Sequence, residues 1–223
     1  MKNYAIIVAG GTGSRMKTEI PKQFLLLNGL PVAMHTINAF YNSSLKPQIL
    51  LVLNKSFHAY WEALCITHQF KLPHTLIAGG EQRFDSVRNA IESITEEGVI
   101  AIHDAVRPIV SDELIMRCFE GAITHGNAIP VIGSRDSLRQ KQGTSTIAIN
   151  REEIVIVQTP QVFKSDVLKE AYKQPFDIHF TDDASAVEKA GKTIHTVEGD
   201  FKNIKITFPE DLEVAGLFLK KRA

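Results

Sequence analysis

The chain has 223 residues, 44% of them hydrophobic. That is enough to bury one sizeable core, and no second domain is required. Its 25 basic residues balance 25 acidic ones to a net charge of zero, so neither a general nucleic-acid binder nor a membrane-surface protein is expected, and any affinity for anions has to be local. Only about five apolar residues precede Gly10, too few for a signal-peptide core, and no run reaches the length of a membrane span, so a cytoplasmic protein is expected.

The apolar run Ala5-Ile6-Ile7-Val8 predicts a buried strand. It opens into Ala9-Gly10-Gly11-Thr12-Gly13-Ser14-Arg15-Met16, with Pro21-Lys22-Gln23 close behind. Glycines at the carboxyl end of a strand let backbone N–H groups approach an anion, or simply make a tight turn. Arg15 and Lys22 add fixed positive charge and favour the anion. Two better-known glycine motifs do not fit: a Walker A loop needs Lys-Ser/Thr where Ser14-Arg15 stands, and the dinucleotide fingerprint needs a glycine where Met16 stands. The next strand, Ile49 to Leu53, ends in Asn54 instead of a ribose-binding acid.

Further strand-like runs cover Thr75 to Ala78, Val99 to Ile102 and Ala128 to Ile132. Between them, Phe84, Val87, Ile91 and Ile94, and then Leu114, Ile115, Cys118, Phe119 and Ala122, recur at helical spacing. The alternation predicts a single Rossmann-like α/β domain of three layers over residues 1–223, with a mainly parallel sheet. Loops that follow parallel strands share one edge, so their motifs can meet. Gly79-Gly80 through Ser86 either admits a base or ribose or makes a turn before a helix capped by Asp85 or Ser86. His103-Asp104-Ala105-Val106-Arg107 places a carboxylate and a guanidinium at the same edge, for Mg²⁺, a sugar hydroxyl or a structural ion pair. Ser111-Asp112-Glu113 reads as a helix cap. Cys65 and Cys118 lie far apart and read as reduced packing residues.

Residues 133–157 break the rhythm with polar residues, a Gln142-Gly143 turn and the alternating Thr144 to Ile149. This predicts a projecting β-hairpin arm. A lone hairpin is marginal in water, so it is expected to pack on a second copy of the chain as a homodimer, the alternative being a hairpin folded back on its own domain. Thr159-Pro160-Gln161 and Thr181-Asp182-Asp183 follow, the latter reading locally as a helix cap with first-turn acids. Asn203 to Thr207 reads as a strand that sets Lys205 opposite Ile204 and Ile206.

In this order AGGTGSRM, PKQF, GGEQRFDSV, HDAVRP, TPQ, TDDASAVE and NIKIT resemble the 2-C-methyl-D-erythritol 4-phosphate cytidylyltransferase family, over about Tyr4 to Phe218. The ribitol-5-phosphate cytidylyltransferases share several of these motifs but usually depart from TDDASA, so Thr181 and Ser185 favour methylerythritol phosphate. A catalytically silent CTP-binding regulatory subunit is the distant alternative. The resemblance implies transfer of CMP from CTP to a polyol phosphate, with catalytic Arg15 and Lys22 and a triphosphate loop of Ala9, Gly10, Gly11, Thr12 and Gly13. It places the cytosine near Gly79, Gly80 and Ser86, and Asp104 and Ala105 near ribose, metal or substrate. The polyol phosphate falls to Arg151, Thr181 and Lys205, assisted by Thr159 and Arg107, with Arg151 acting across the dimer. Mg²⁺ is implied, held largely by CTP phosphates, with Asp104 and Asp200 as candidate protein ligands.

Overall fold

The computed structural model describes residues 1–11 and 20–220. Strand β1 (Lys2–Val8) lies at the centre of the sheet. Two short strands, β2 (Leu26–Leu27) and β3 (Leu30–Pro31), lead into α1 (Val32–Tyr41). The βα alternation then continues with β4 (Gln48–Leu53), α2 (His58–Thr67), β5 (Thr75–Ala78), α3 (Arg83–Ser93), β6 (Gly98–Asp104), α4 (Asp112–His125) and β7 (Asn127–Gly133). Strands β5, β4, β1 and β6 are mutually parallel neighbours.

The sheet is covered on both faces because the strand period is two. Ala5 and Ile7 of β1 join a core with Met34, Ile37 and Phe40 of α1, Trp61 of α2 and Phe119 of α4. Tyr4 and Ile6 point the other way, into a core with Phe84, Val87 and Ile91 of α3. These are the expected three layers. The Ser111 hydroxyl caps α4 by accepting from Leu114 N–H, and Gly126 closes that helix in the left-handed region at φ +91°. Cys118 is fully buried in the first core, where burial pushes its thiol up to about 12. Both cysteines are free thiols.

Beyond β6 the chain departs from simple alternation. The arm appears as β8 (Arg139–Gln142) and β9 (Ser145–Ala148), antiparallel about a two-residue Gly143-Thr144 loop in which Gly143 adopts φ +61°. The chain returns through β10 (Val155–Val157), a cis Thr159-Pro160 bond and β11 (Gln161–Lys164). Strand β11 runs antiparallel between β6 and β7, and β10 continues along β7. Helices α5 (Ser165–Ala171) and α6 (Asp183–Lys189), edge strand β12 (Thr196–Glu198) and α7 (Pro209–Lys220) complete the order. Among the described residues no helix is long and apolar enough to cross a membrane.

Two local expectations are corrected. Residues 203–207 form no sheet ladder; the segment runs extended beside the loop after β6, joined by Ile206 N–H to the Val106 carbonyl at 2.9 Å. Its alternation is real, since Ile206 is buried with Val106 and Ile109, but the partner is a loop. Helix α3 starts at Arg83, three residues earlier than a cap at Asp85 or Ser86 allows. Asp85 instead accepts from Gln82 N–H at 3.2 Å, as the returning acid of a capping box. Gly80 lies so close that a Cβ there would come within 2.3 Å of the Asp85 Cβ, so this glycine is required by contact with the helix.

Candidate active site

The carboxyl ends of β1 and β6 stand side by side, with Val8 in register with Asp104. Above them opens a cleft of about 360 Å³ lined by Gly10, Gly11, Lys22, Gly80, Arg83, Ser86, Asp104 and Lys205, among others. The chain's net charge is zero, yet among the described residues Lys22, Arg83 and Lys205 line the cleft together with the buried Asp104 and the exposed Glu81. Any affinity for anions, which composition restricts to a local site, would act here.

Each wall is braced by side chains. Gln23, buried in the short turn Lys22–Phe24, donates to the Ala9 carbonyl at 2.7 Å and holds the loop entrance against β1. Lys22 in the same turn is only 8% exposed, and its Nζ donates to the Ile206 carbonyl at 2.9 Å. Opposite, the Ser86 hydroxyl donates to the Gln82 carbonyl and accepts from Gly80 N–H at 3.1 Å, which ties the glycine pair to the first turn of α3. Backbone groups of that loop are thereby presented at fixed positions.

Asp104 is the hub of the floor. Its Oδ2 lies 2.8 Å from Lys205 Nζ and 3.6 Å from Arg107 Nε, and its Oδ1 lies 4.0 Å from Arg83 Nη2. Burial alone would raise its pKa. Arg83, Lys205 and Arg107 outweigh that and hold the carboxyl well below the usual range, so it is ionised at neutral pH. Arg107 is fixed from behind, its Nη1 donating to the Asn203 carbonyl at 2.8 Å.

Under the hub lies His103, fully buried at the end of β6. Its Nε2 stands 3.0 Å from the Arg107 carbonyl, which only accepts, so Nε2 carries the proton. Its Nδ1 therefore accepts from the Thr159 hydroxyl at 3.1 Å, and that hydroxyl oxygen accepts from Asp104 N–H at 3.2 Å. Burial lowers the imidazole pKa to about 4, against smaller opposing effects of the Arg107 carbonyl and Asp104. A neutral ring with both nitrogens engaged is a brace; it has no lone pair to offer as a base.

The sequence-derived site residues do not all fall in one place. Gly10, Gly11, Lys22, Gly80, Ser86, Asp104 and Lys205 line the cleft. Ala9 also lines it, whereas Ala105 is buried beside Asp104 with its N–H on the Val8 carbonyl, and Gly79 packs against Ser86. Arg107 and Thr159 support the floor. Arg151 lies at the base of the arm, exposed beside Glu152, Thr181 is exposed just before α6, and the Asp200 carboxylate accepts from Lys202 N–H at 2.8 Å; none of the three lines the cleft. Thr12, Gly13 and Arg15 lie outside the described residues.

Sequence reasoning gave no site role to Arg83 and read Asp183 only as a first-turn acid of a helix. Arg83 lines the cleft and reaches Asp183 with two parallel bonds of 2.8 and 2.7 Å. Each sits inside a motif quoted above, but nothing local says that residues a hundred apart pair.

A mainly parallel α/β sheet that ends at Gly10 and Gly11, with Lys22, Lys205 and a cation-bound Asp104 across a cleft, fits a nucleotidyltransferase. A family model described as 2-C-methyl-D-erythritol 4-phosphate cytidylyltransferase matches residues 3–221, and the chain belongs to that family. The protein of that name from Bacteroides fragilis is 47% identical over 215 residues, covering 96% of this chain and 98% of its own. The one from Porphyromonas gingivalis is 46% identical over 219 residues, covering 98% of each. Among solved structures, the cytidylyltransferase of Thermus thermophilus superposes with a TM-score of 0.78 at 28% identity, covering 99% of this chain and 100% of that one. That of Francisella tularensis gives 0.81 at 29%, covering 98% and 100%.

Proposed function

We propose that the protein transfers CMP from CTP to 2-C-methyl-D-erythritol 4-phosphate in the cytoplasm, as a step of the non-mevalonate route to isoprenoids. A phosphate oxygen of the polyol attacks the α-phosphorus of CTP, the bond to the β-phosphate breaks, and pyrophosphate leaves with that electron pair. The product is 4-diphosphocytidyl-2-C-methyl-D-erythritol. A phosphate dianion is already nucleophilic near neutral pH, so the reaction needs no general base. What it needs is two anions brought together against their repulsion, and charge stabilised at the α-phosphorus. The observation that carries the reading is the cationic cleft facing the glycine loop, with Lys22 and Lys205 on its walls.

In this reading Lys22 and Arg15 stabilise the charge that develops on the α-phosphate, and the loop from Ala9 to Gly13 holds the triphosphate, the Ala9 N–H itself being taken by the Val52 carbonyl at 2.9 Å. Gly80 and Ser86 receive the cytosine with Gly79 packed behind them, and Asp104 faces the ribose, backed by the buried Ala105. Lys205, Thr181 and Arg151 hold the polyol phosphate, while Arg107 and Thr159 keep Asp104 in place.

Mg²⁺ fits the site as an ion brought by the nucleotide. Among the described residues no three His, Cys, Asp or Glu side chains form a cluster able to cage a metal. Asp200 is occupied by its own turn, and Lys205 takes one oxygen of Asp104, which leaves Asp104 Oδ1 as the protein atom best placed to meet the ion. When bound, Mg²⁺ neutralises phosphate charge from a shell made mostly of phosphate and water.

The arm supports a homodimer. It stands off the domain, and Ile147, Ile154, Val155, Ile156 and Val157 leave an exposed apolar surface along it and β10. In the dimer Arg151 reaches the partner's site. Arg151→Ala is therefore expected to raise KM for the polyol phosphate by about 10–100-fold, the worth of one charge-assisted hydrogen bond, with KM for CTP unchanged. Replacing residues 139–148 by two glycines should convert the dimer to a monomer by light scattering and carry the same KM penalty. A monomeric wild type would remove the shared site.

The reading is tested by pyrophosphate release with CTP and Mg²⁺, run in parallel on methylerythritol 4-phosphate and ribitol 5-phosphate. Release with the former alone is expected. Release with ribitol 5-phosphate alone would reassign the substrate, and CTP binding without release from either would indicate a regulatory subunit.

A further inference from the structure

Helix α6 is short, yet its amino terminus is fastened from two sides by groups that reach it across the fold. From β11, Gln161 donates to Asp182 Oδ2 at 2.7 Å and accepts from Ala184 N–H at 2.9 Å. From α3, Arg83 grips Asp183 with a planar two-bond fork, and the Tyr172 hydroxyl gives Asp183 a third bond at 2.6 Å. The Asp183 side chain is completely buried. A carboxylate buried in this way stands only if its oxygens are bonded, and Asp183 accepts three bonds, while Arg83 remains 36% exposed at the cleft.

The position of Arg83 gives the pair a consequence. The same Nη2 that holds Asp183 stands 4.0 Å from Asp104, and the guanidinium forms part of the cleft wall. One rigid group thus spans the carboxylate of the cleft floor and the helix that follows Thr181. Next to Arg83, Phe84 stacks on Tyr172 at 4.4 Å and on Phe180 at 5.4 Å, so the segment leading into Thr181 is held to α3 by aromatic contact as well.

We infer that Arg83 is a positioning residue for the acceptor phosphate: through Asp183 it sets where α6, and with it Thr181, stands relative to Asp104 and Lys205. This rests on the proposed reading, in which Thr181 and Lys205 hold the polyol phosphate. Lysine cannot replace Arg83, since an ammonium lacks the two-pronged plane that fixes both the distance and the angle of Asp183.

The test compares Asp183→Asn, Arg83→Met, their double variant and Tyr172→Phe. Asp183 is buried away from substrate, so any effect of Asp183→Asn on kinetics has to travel through Arg83 or α6. Both single variants are expected to raise KM for methylerythritol 4-phosphate by about tenfold or more, the scale of a misplaced contact, with KM for CTP within about threefold. The double variant should be no worse than the worse single one, because one strap is cut in each case. Tyr172→Phe loses a buried bond but leaves the fork, so it should lower Tm while leaving both KM values within about threefold. Equal rises in both KM values, additive singles, or a KM rise in Tyr172→Phe matching that of Asp183→Asn would overturn the inference.

A wild type inactive on methylerythritol 4-phosphate would count against the functional reading, and the strap is then decided by amide exchange. Exchange across residues 176–184 should quicken about tenfold or more in both single variants, with α1 unchanged. Unaltered exchange there overturns it.

Discussion

Lys22→Met is expected to lower kcat by about a hundredfold or more, with the apparent affinity for CTP changing far less. The argument is one of preorganisation. Lys22 is held in a buried turn with its Nζ on the Ile206 carbonyl, so its charge already stands at the cleft before substrate arrives. A fixed charge in a site shielded from water stabilises developing negative charge without reorganising. Methionine keeps the length and apolar contacts of the stem, so the loss is mainly of the charge and its polar contacts, the bond to the Ile206 carbonyl among them. Arginine should not rescue activity. Its guanidinium is broader than an ammonium, and the 8% exposure of Lys22 leaves no room for the fork to turn. The decisive measurement is single-turnover pyrophosphate release at saturating CTP. A variant with raised KM for CTP and unchanged kcat would make Lys22 a binding residue only.

How far the site could be read from sequence depended on how local each signal was. The two flanks of the glycine loop were legible because an apolar run ending in glycines and followed by cations is a contiguous message, and β1 and Lys22 stand where that message places them. The arm was legible from the loss of hydrophobic rhythm. Lys205 was read on the correct face for the wrong reason: its alternation with Ile206 is answered by the Val106 carbonyl and a loop-side core, which no periodicity can tell from a strand. The antiparallel β10 and β11 escaped because a proline splits two short runs that have no turn signal between them. Asp183 was hidden by its neighbour. Asp182 does cap α6, accepting from Ser185 N–H at 2.9 Å, and a cap with first-turn acids accounts for both aspartates until Arg83 and Tyr172 are seen converging on the second one. Pairings that depend on three elements meeting are written in no single stretch of sequence.

Asp104→Asn should cost about 2–3 kcal/mol of stability at pH 7, along with most of the turnover. The substitution keeps the shape and removes the charge on which Arg107, Lys205 and Arg83 converge. Breaking a fully buried pair costs about 3–5 kcal/mol, but Lys205 is 41% exposed and can turn to water, so the burden falls on Arg107, whose side chain is 11% exposed and cannot. The pH dependence separates this electrostatic cost from a packing defect. Asp104 has its pKa lowered by folding, so the stability it contributes is complete above the unfolded carboxyl value of about 4 and is lost as pH falls below it toward the native one. The stability difference between wild type and Asp104→Asn in urea unfolding should hold constant from about pH 8 to 5 and shrink below about pH 4. His103 acts earlier in both proteins. Its pKa falls from 6.5 to about 4 on folding, so the neutral ring is favoured and stability declines as pH drops between those values. That decline is shared by wild type and variant down to about pH 4; because Asp104 also raises the His103 pKa, it cancels in the difference only above that value. A gap that persists undiminished at about pH 3 would mean that asparagine disturbs the floor by shape, and that the carboxylate charge is not what holds Arg107 and Lys205 in place.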